Sequence, residues 1–181
     1  MDKAETQVRQ WLRDCVVALD LCPFAAPVLR DQSLRIAVST AASEADQLQD
    51  FLRELDRLQA SPEAEIATTL LVLSRGPAEF EDFLDLVDAA QQLLEEAGLE
   101  GTLQLAHFHP AYCFAGEDPA GVSHLTNRSP LPVIHLLRES MLSRAVDAYP
   151  DTAAIPQRNI ERLESLSPQE LQRRWSWLTL A

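Results

Sequence analysis

The stretch Ile66-Ala-Thr-Thr-Leu-Leu-Val-Leu73 is almost uninterrupted apolar sequence, and its reading decides the fold. A strand is apolar at nearly every position only when both of its faces are covered, so these residues are expected at the centre of a sheet. Ser74-Arg75-Gly76-Pro77 then turns the chain. Helical stripes flank the strand on both sides. Upstream, Leu48, Phe51, Leu52, Leu55 and Leu58 recur at helical spacing, introduced by Ser43-Glu-Ala-Asp46, which resembles a capping box. Downstream, Phe80, Phe83, Leu84, Val87, Ala90, Leu93 and Leu94 mark a helix over about 78–97, and Gly98 suits its C-terminal cap. Farther out lie two more strands. In the first, at about 34–40, Leu34, Ile36 and Val38 alternate with Arg35, Ala37 and Ser39; the second runs from Thr102 to His109 and is ended by Pro110. Strand–helix–strand–helix–strand, with helices long enough for crossovers, predicts an α/β fold: a βαβαβ core around a small parallel or mixed sheet of three or more strands.

The ends of the chain read as helical. Val8, Trp11, Leu12, Cys15, Val16 and Leu19 form one stripe of an N-terminal helix over 3–19, which makes Cys15 a core thiol. That helix should stop near Leu21-Cys22-Pro23. In the C-terminal third, Ser129-Pro130-Leu-Pro132 resembles a helix entry, and Ile134, Leu137, Met141 and Ala145 continue a helical stripe. Pro156 starts another short helix. Ser167-Pro168-Gln169-Glu170 opens the last one, docked by Trp175 and Trp177. No repeat, low-complexity segment or linker divides the sequence, so residues 1–181 are expected to form one domain.

With 15 basic and 28 acidic residues the net charge is −13, the acid concentrated between Ser43 and Glu100. Such a chain repels phosphate backbones, which disfavours nucleic acid as a partner. No apolar run approaches the ~20 residues of a membrane span, and the charged N-terminus lacks a secretory h-region. Neither membrane insertion nor export is expected, and a cytoplasmic location follows. The three cysteines, Cys15, Cys22 and Cys113, make no disulfide framework and include no CxxC.

All four histidines, His107, His109, His124 and His135, fall within one short segment. Histidine titrates near neutrality and is a common metal ligand, so the segment is a candidate site. On a strand, His107 and His109 share a face about 6.5–7 Å apart and sit at the strand's carboxyl end, where open α/β sheets bind ligands. Ser39-Thr40 and Ser74-Arg75-Gly76 would end the other two strands at the same edge. The bland reading is a pair of structural hydrogen bonds. His135, Arg138 and Glu139 would share one face of a helix, as metal ligands, as a base with its orienting partner, or as a solvated ion pair. Asn127 and Arg128 would precede the same helix, whose N-terminus favours anions. Tyr112 lies nearby in a long loop from Ala111 to Asn127, a length that usually marks function or disorder. Cys22 reads equally as a structural thiol or as a ligand, and only closeness to the histidines would distinguish the two.

Leu21-Cys22-Pro23-Phe24-Ala25, His107-Phe108-His109-Pro110, Asn127-Arg128-Ser129-Pro130 and His135-Leu136-Leu137-Arg138-Glu139 together resemble the hallmark strings of a bacterial family known only as a domain of unknown function. The resemblance covers about residues 5–178. Leu131 departs from it, standing where the family pattern has an aromatic residue. The resemblance implies a stand-alone soluble protein and brings no activity, cofactor or catalytic residue with it.

The leading expectation is an enzyme acting on a small anionic molecule. His107, His109, His135 and Glu139 would serve as acid–base groups, and Arg128, Arg138, Asn127, Tyr112 and Cys22 as binding groups. His107 and His109 would hold any metal, a donor set suiting zinc or iron. A non-catalytic small-ligand or metal-binding protein is the alternative, followed by an acidic adaptor and a thiol redox protein. Walker, GxGxxG, GxSxG and HExxH motifs are absent from the sequence. The oligomeric state is not legible.

Overall fold

The computed structural model describes residues 2–148 and 151–178, apart from the side chains of Ala145 and Ala148. Ala145, expected to continue a stripe, is thus outside the described side chains. The elements follow in the order α1 (Lys3–Trp11), a π-helical extension (Leu12–Val17), α2 (Ala25–Arg30), β1 (Leu34–Ser39), α3 (Glu44–Ala60), β2 (Thr68–Leu73), α4 (Phe80–Glu96) and β3 (Leu103–Phe108). A 3₁₀ turn (Val122–Thr126), β4 (Val133–Arg138), α5 (Glu139–Ala148), a second 3₁₀ turn (Thr152–Ala154), α6 (Ile155–Glu164) and α7 (Pro168–Arg174) complete them.

The expected mixed α/β architecture is present. Every residue of β2 is buried, as its composition requires. The Ser43 hydroxyl caps α3 by accepting from the Asp46 N–H, and Ser167 does the same for Glu170 at α7. Gly98, at φ +71°, ends α4 in the left-handed conformation that glycine adopts without strain. Gly76 has a different reason: a Cβ there would lie 2.7 Å from the Leu73 Cβ, so the turn after β2 closes only around a bare backbone.

The sheet has four strands in the order β1-β2-β4-β3. β1 pairs parallel to β2, whereas β4 pairs antiparallel to both β2 and β3. The first three strands therefore run the same way, and β4 enters from the other end between β2 and β3. Ser74 reaches back to the Ser39 carbonyl with both its N–H and its hydroxyl, so β1 and β2 finish at one edge as expected.

β4 corrects the sequence reading. Residues 133–138 form a strand where a helix was expected, and no helix begins at Ser129. The run Val133-Ile-His-Leu-Leu-Arg138 lies in a central strand, where apolar residues face both ways and the alternation that identifies a half-exposed strand is lost. Because α5 begins directly at Glu139, apolar residues on either side of the junction happened to continue at helical spacing.

The faces of the sheet differ. On one, Phe51, Leu55 and Leu58 of α3 and Phe83, Leu86 and Ala90 of α4 pack on Leu71, Leu73, Leu103, Ile134 and Leu136 in a closed core. Full burial of each leucine, isoleucine or phenylalanine among them contributes about 1.5–3 kcal/mol. On the other, Trp11 and Cys15 of the N-terminal helix and Leu163, Leu171 and Trp175 of the C-terminal segment cover Leu70, Val72 and Val133.

Candidate functional site

The strand alternation of β3 and β4 places the histidines. His107 and His109 follow Leu103 and Leu105 onto the closed face, where His107 packs edge-on to Phe83 and His109 stacks on it, with ring centroids 6.0 and 5.0 Å away. His135 lies on the opposite face, in register with Leu70 of β2 and Ala106 of β3. The expected convergence of His135 with the His107–His109 pair does not occur, because the sheet stands between them.

His109 is almost fully buried, and both of its ring nitrogens are engaged. Nε2–H donates to the Pro77 carbonyl at 3.1 Å, and Nδ1 accepts from the Ala111 N–H at 3.1 Å. It ties the turn before α4 to the loop after β3. His107 is half-buried against Phe83 and Tyr112. Burial pushes both imidazoles below their ordinary value; Asp88 partly opposes this for His107, and the Pro77 carbonyl does so for His109. Fully buried His124 accepts from the Phe114 N–H at Nδ1 and donates from Nε2 to the Asp118 carbonyl, folding the 113–127 loop on itself.

The arginines are engaged in the same way. Arg138, on the closed face, donates to the carbonyls of Leu58, Ser61 and Ile66, clamping the end of α3 to the sheet. It is separated from His135 by the strand alternation, so the expected shared helix face of His135, Arg138 and Glu139 is absent. Glu139 opens α5, and its N–H donates to the Thr102 carbonyl. Arg128 donates to the Tyr112 and Pro119 carbonyls. Asn127 donates to the His107 carbonyl at 3.5 Å and accepts from the Thr126 hydroxyl. The segment leads into a strand, so the expected helix N-terminal anion site is absent too. Among the described residues no group of three or more His, Cys, Asp or Glu side chains is close enough to hold a metal ion.

What the open face holds instead is a cavity of about 500 Å³. Its floor is sheet: Leu34, Thr68, Leu70, Ala106, Phe108, His135 and Leu137. Its walls are Trp11, Leu12 and Val16 of the N-terminal helix, Ala25, Val28 and Leu29 of α2, Met141 and Leu142 of α5, and Ile155 and Ile160 of α6. The π-helical widening over Leu12–Val17 turns Leu12 and Val16 toward this space. The long loop contributes Phe114, Glu117, Ser123, Thr126 and Asn127; exposed Glu117 marks the mouth, and its carboxylate accepts from the Ser123 hydroxyl at 2.6 Å.

His135 is the ionisable group of the floor. Its Nε2 lies 2.7 Å from the Thr68 hydroxyl oxygen, which is also 2.7 Å from the Leu136 carbonyl. A hydroxyl donates only one hydrogen. Both contacts are favourable only if Thr68 donates to Leu136 and accepts from His135 Nε2–H. Nδ1 therefore carries the lone pair, and it has no partner among the described residues. Burial pushes the imidazolium down to about 4, so the ring is neutral at physiological pH. Cys22 lines the same cavity; burial raises its thiol, so it carries no thiolate to act as a nucleophile. Cys15 is a core thiol as expected, pushed up to about 12.

Sequence reasoning named His135, Asn127 and Cys22 but missed Thr68 and Asn159. Each left a trace: Thr68 is polar within an apolar strand, and Asn159 stands four residues before Leu163 on the buried side of α6.

Taken together, fold and site define a mixed α/β protein with one large apolar chamber against its sheet. By its sequence it belongs to the family described as protein of unknown function (DUF1415), whose model matches residues 3–173. Comparison with curated proteins and with solved structures gave no match.

Proposed function

We propose that this protein binds a small, largely apolar molecule in the cavity above Thr68, Ala106 and His135. The cavity itself carries the reading. Ligand sites are typically concave spaces of about 300–1,000 Å³ with apolar walls and few polar groups, which describes this one. Filling it with water would take roughly 17 molecules at ~30 Å³ each, most of them against walls that offer no hydrogen bond. An apolar occupant removes that cost.

An enzyme for an anionic substrate has less support. Arg128 and Arg138 are engaged with backbone carbonyls, and among the described residues no lysine or arginine lines the cavity. The binding reading requires no turnover. It is tested with Nile red, a neutral apolar dye, against Ala106→Trp, which projects an indole into the chamber. We expect saturable, near-stoichiometric dye binding, lost in a variant that melts no lower than the parent. Dye bound equally by both proteins, or by neither, sinks the proposal.

A further inference from the structure

Resting on that reading, we infer that the ligand is a neutral molecule with an apolar body and a hydroxyl that donates its hydrogen to His135 Nδ1. The cavity presents acceptors in want of donors. His135 Nδ1 is one, its tautomer fixed by the Thr68 hydroxyl. Asn159 is the second: it lines the cavity, is only 7% exposed, and donates from its amide nitrogen to the Leu21 carbonyl at 2.8 Å. Its Oδ1 has no partner among the described residues. An unsatisfied buried acceptor is costly, and a ligand hydroxyl relieves that cost.

Charge narrows the class further. Among the described residues the one formally charged side chain in the lining is Glu117, a carboxylate, on a chain of net charge −13. A carboxylate or phosphate ligand would enter an apolar chamber with no cation to meet it, and burying an unpaired ion is strongly unfavourable. A ligand without a donor would leave both acceptors as they are. A hydroxyl on an aliphatic or aromatic body gives His135 Nδ1 its donor while the rest of the molecule meets the apolar walls.

Three ten-carbon probes with a common body test this on the full chain by displacement of Nile red at pH 7.5: 1-decanol, decyl methyl ether and decanoate. We expect decanol to bind about ten-fold tighter than the ether, a single hydrogen bond's difference, and decanoate to bind weakest. His135→Phe should equalise decanol and ether. Should that variant not fold, the ¹⁵N resonance of Nδ1 in the unaltered protein replaces it, and decanol but not the ether should move it. Equal affinity for decanol and ether, or a preference for decanoate, overturns the inference while leaving the binding cavity intact. Failure of every probe to displace the dye overturns the inference as well; failure of the dye itself to bind overturns the cavity reading beneath it.

Discussion

The two faces of one sheet use histidine in different ways. On the closed face, His109 is a structural fastener, with a hydrogen bond at each nitrogen and phenylalanine against its ring. On the open face, His135 lines a cavity, with one nitrogen fixed by Thr68 and the other without a partner among the described residues. The same residue type, one strand apart, is spent on architecture in one place and left available in the other. The lesson is that a cluster of histidines in sequence is not a cluster in space. β4 is antiparallel and offset in alternation, and it puts the sheet between them.

The contrast can be broken most forcefully at the cores. Phe83→Ala on the closed face removes a fully buried ring and should cost about 3–5 kcal/mol, read by urea denaturation. Leu142→Ala, at the half-buried cavity wall, should cost under about 1.5 kcal/mol, because it widens a space that already exists. Comparable losses would mean that the open face is packed as tightly as the closed one.

The second contrast is in pH. His135 has a folded-state value of about 4 against 6.5 in the unfolded chain. Between these values the unfolded chain binds a proton that the folded protein refuses. Stability is therefore complete above about pH 6.5 and falls as the pH drops toward 4, by at most about 3 kcal/mol from this group. His107 and His109 are depressed in the same direction. His135→Phe should flatten the slope only in part, as followed by denaturation at a series of pH values. An unchanged slope would assign the whole effect to the closed face.

The third contrast is at Arg138. Arg138→Met leaves three carbonyls on the closed face without their donor and should destabilise by about 2 kcal/mol, with Nile red affinity unchanged. Lost dye binding in a folded Arg138→Met protein would bring Arg138 back as a ligand-binding group.

Much of the architecture was legible because its signals are local. Alternation marked β1, continuous apolarity marked β2, and hydroxyl caps marked the starts of α3 and α7. The shared face of His107 and His109 followed from strand period alone. The helix Ala25–Arg30 went unexpected, but the consequential failure was one other segment. Val133–Arg138 is short, apolar on both faces and joined without a loop to α5, so its period was ambiguous. That one misreading moved His135, Arg138 and Glu139 onto a common face and gave Arg128 a helix terminus to serve. The cavity was illegible for another reason: its lining is gathered from separate segments scattered between Trp11 and Ile160, and a void leaves no periodic signature in any one element.

The late arrival of β4 also bears on how the chain is made. When Phe108 has been synthesised, β1, β2 and β3 all exist, yet β2 and β3 cannot pair, because the place between them belongs to residues 133–138. Thirty further residues, from Phe108 to Arg138, must be added before the sheet closes. At ~5–20 residues per second that is an interval of about 2–6 s. Throughout it, the strand whose every residue ends buried has an open edge, making the nascent chain most vulnerable to self-association just before the cavity acquires the last of its floor.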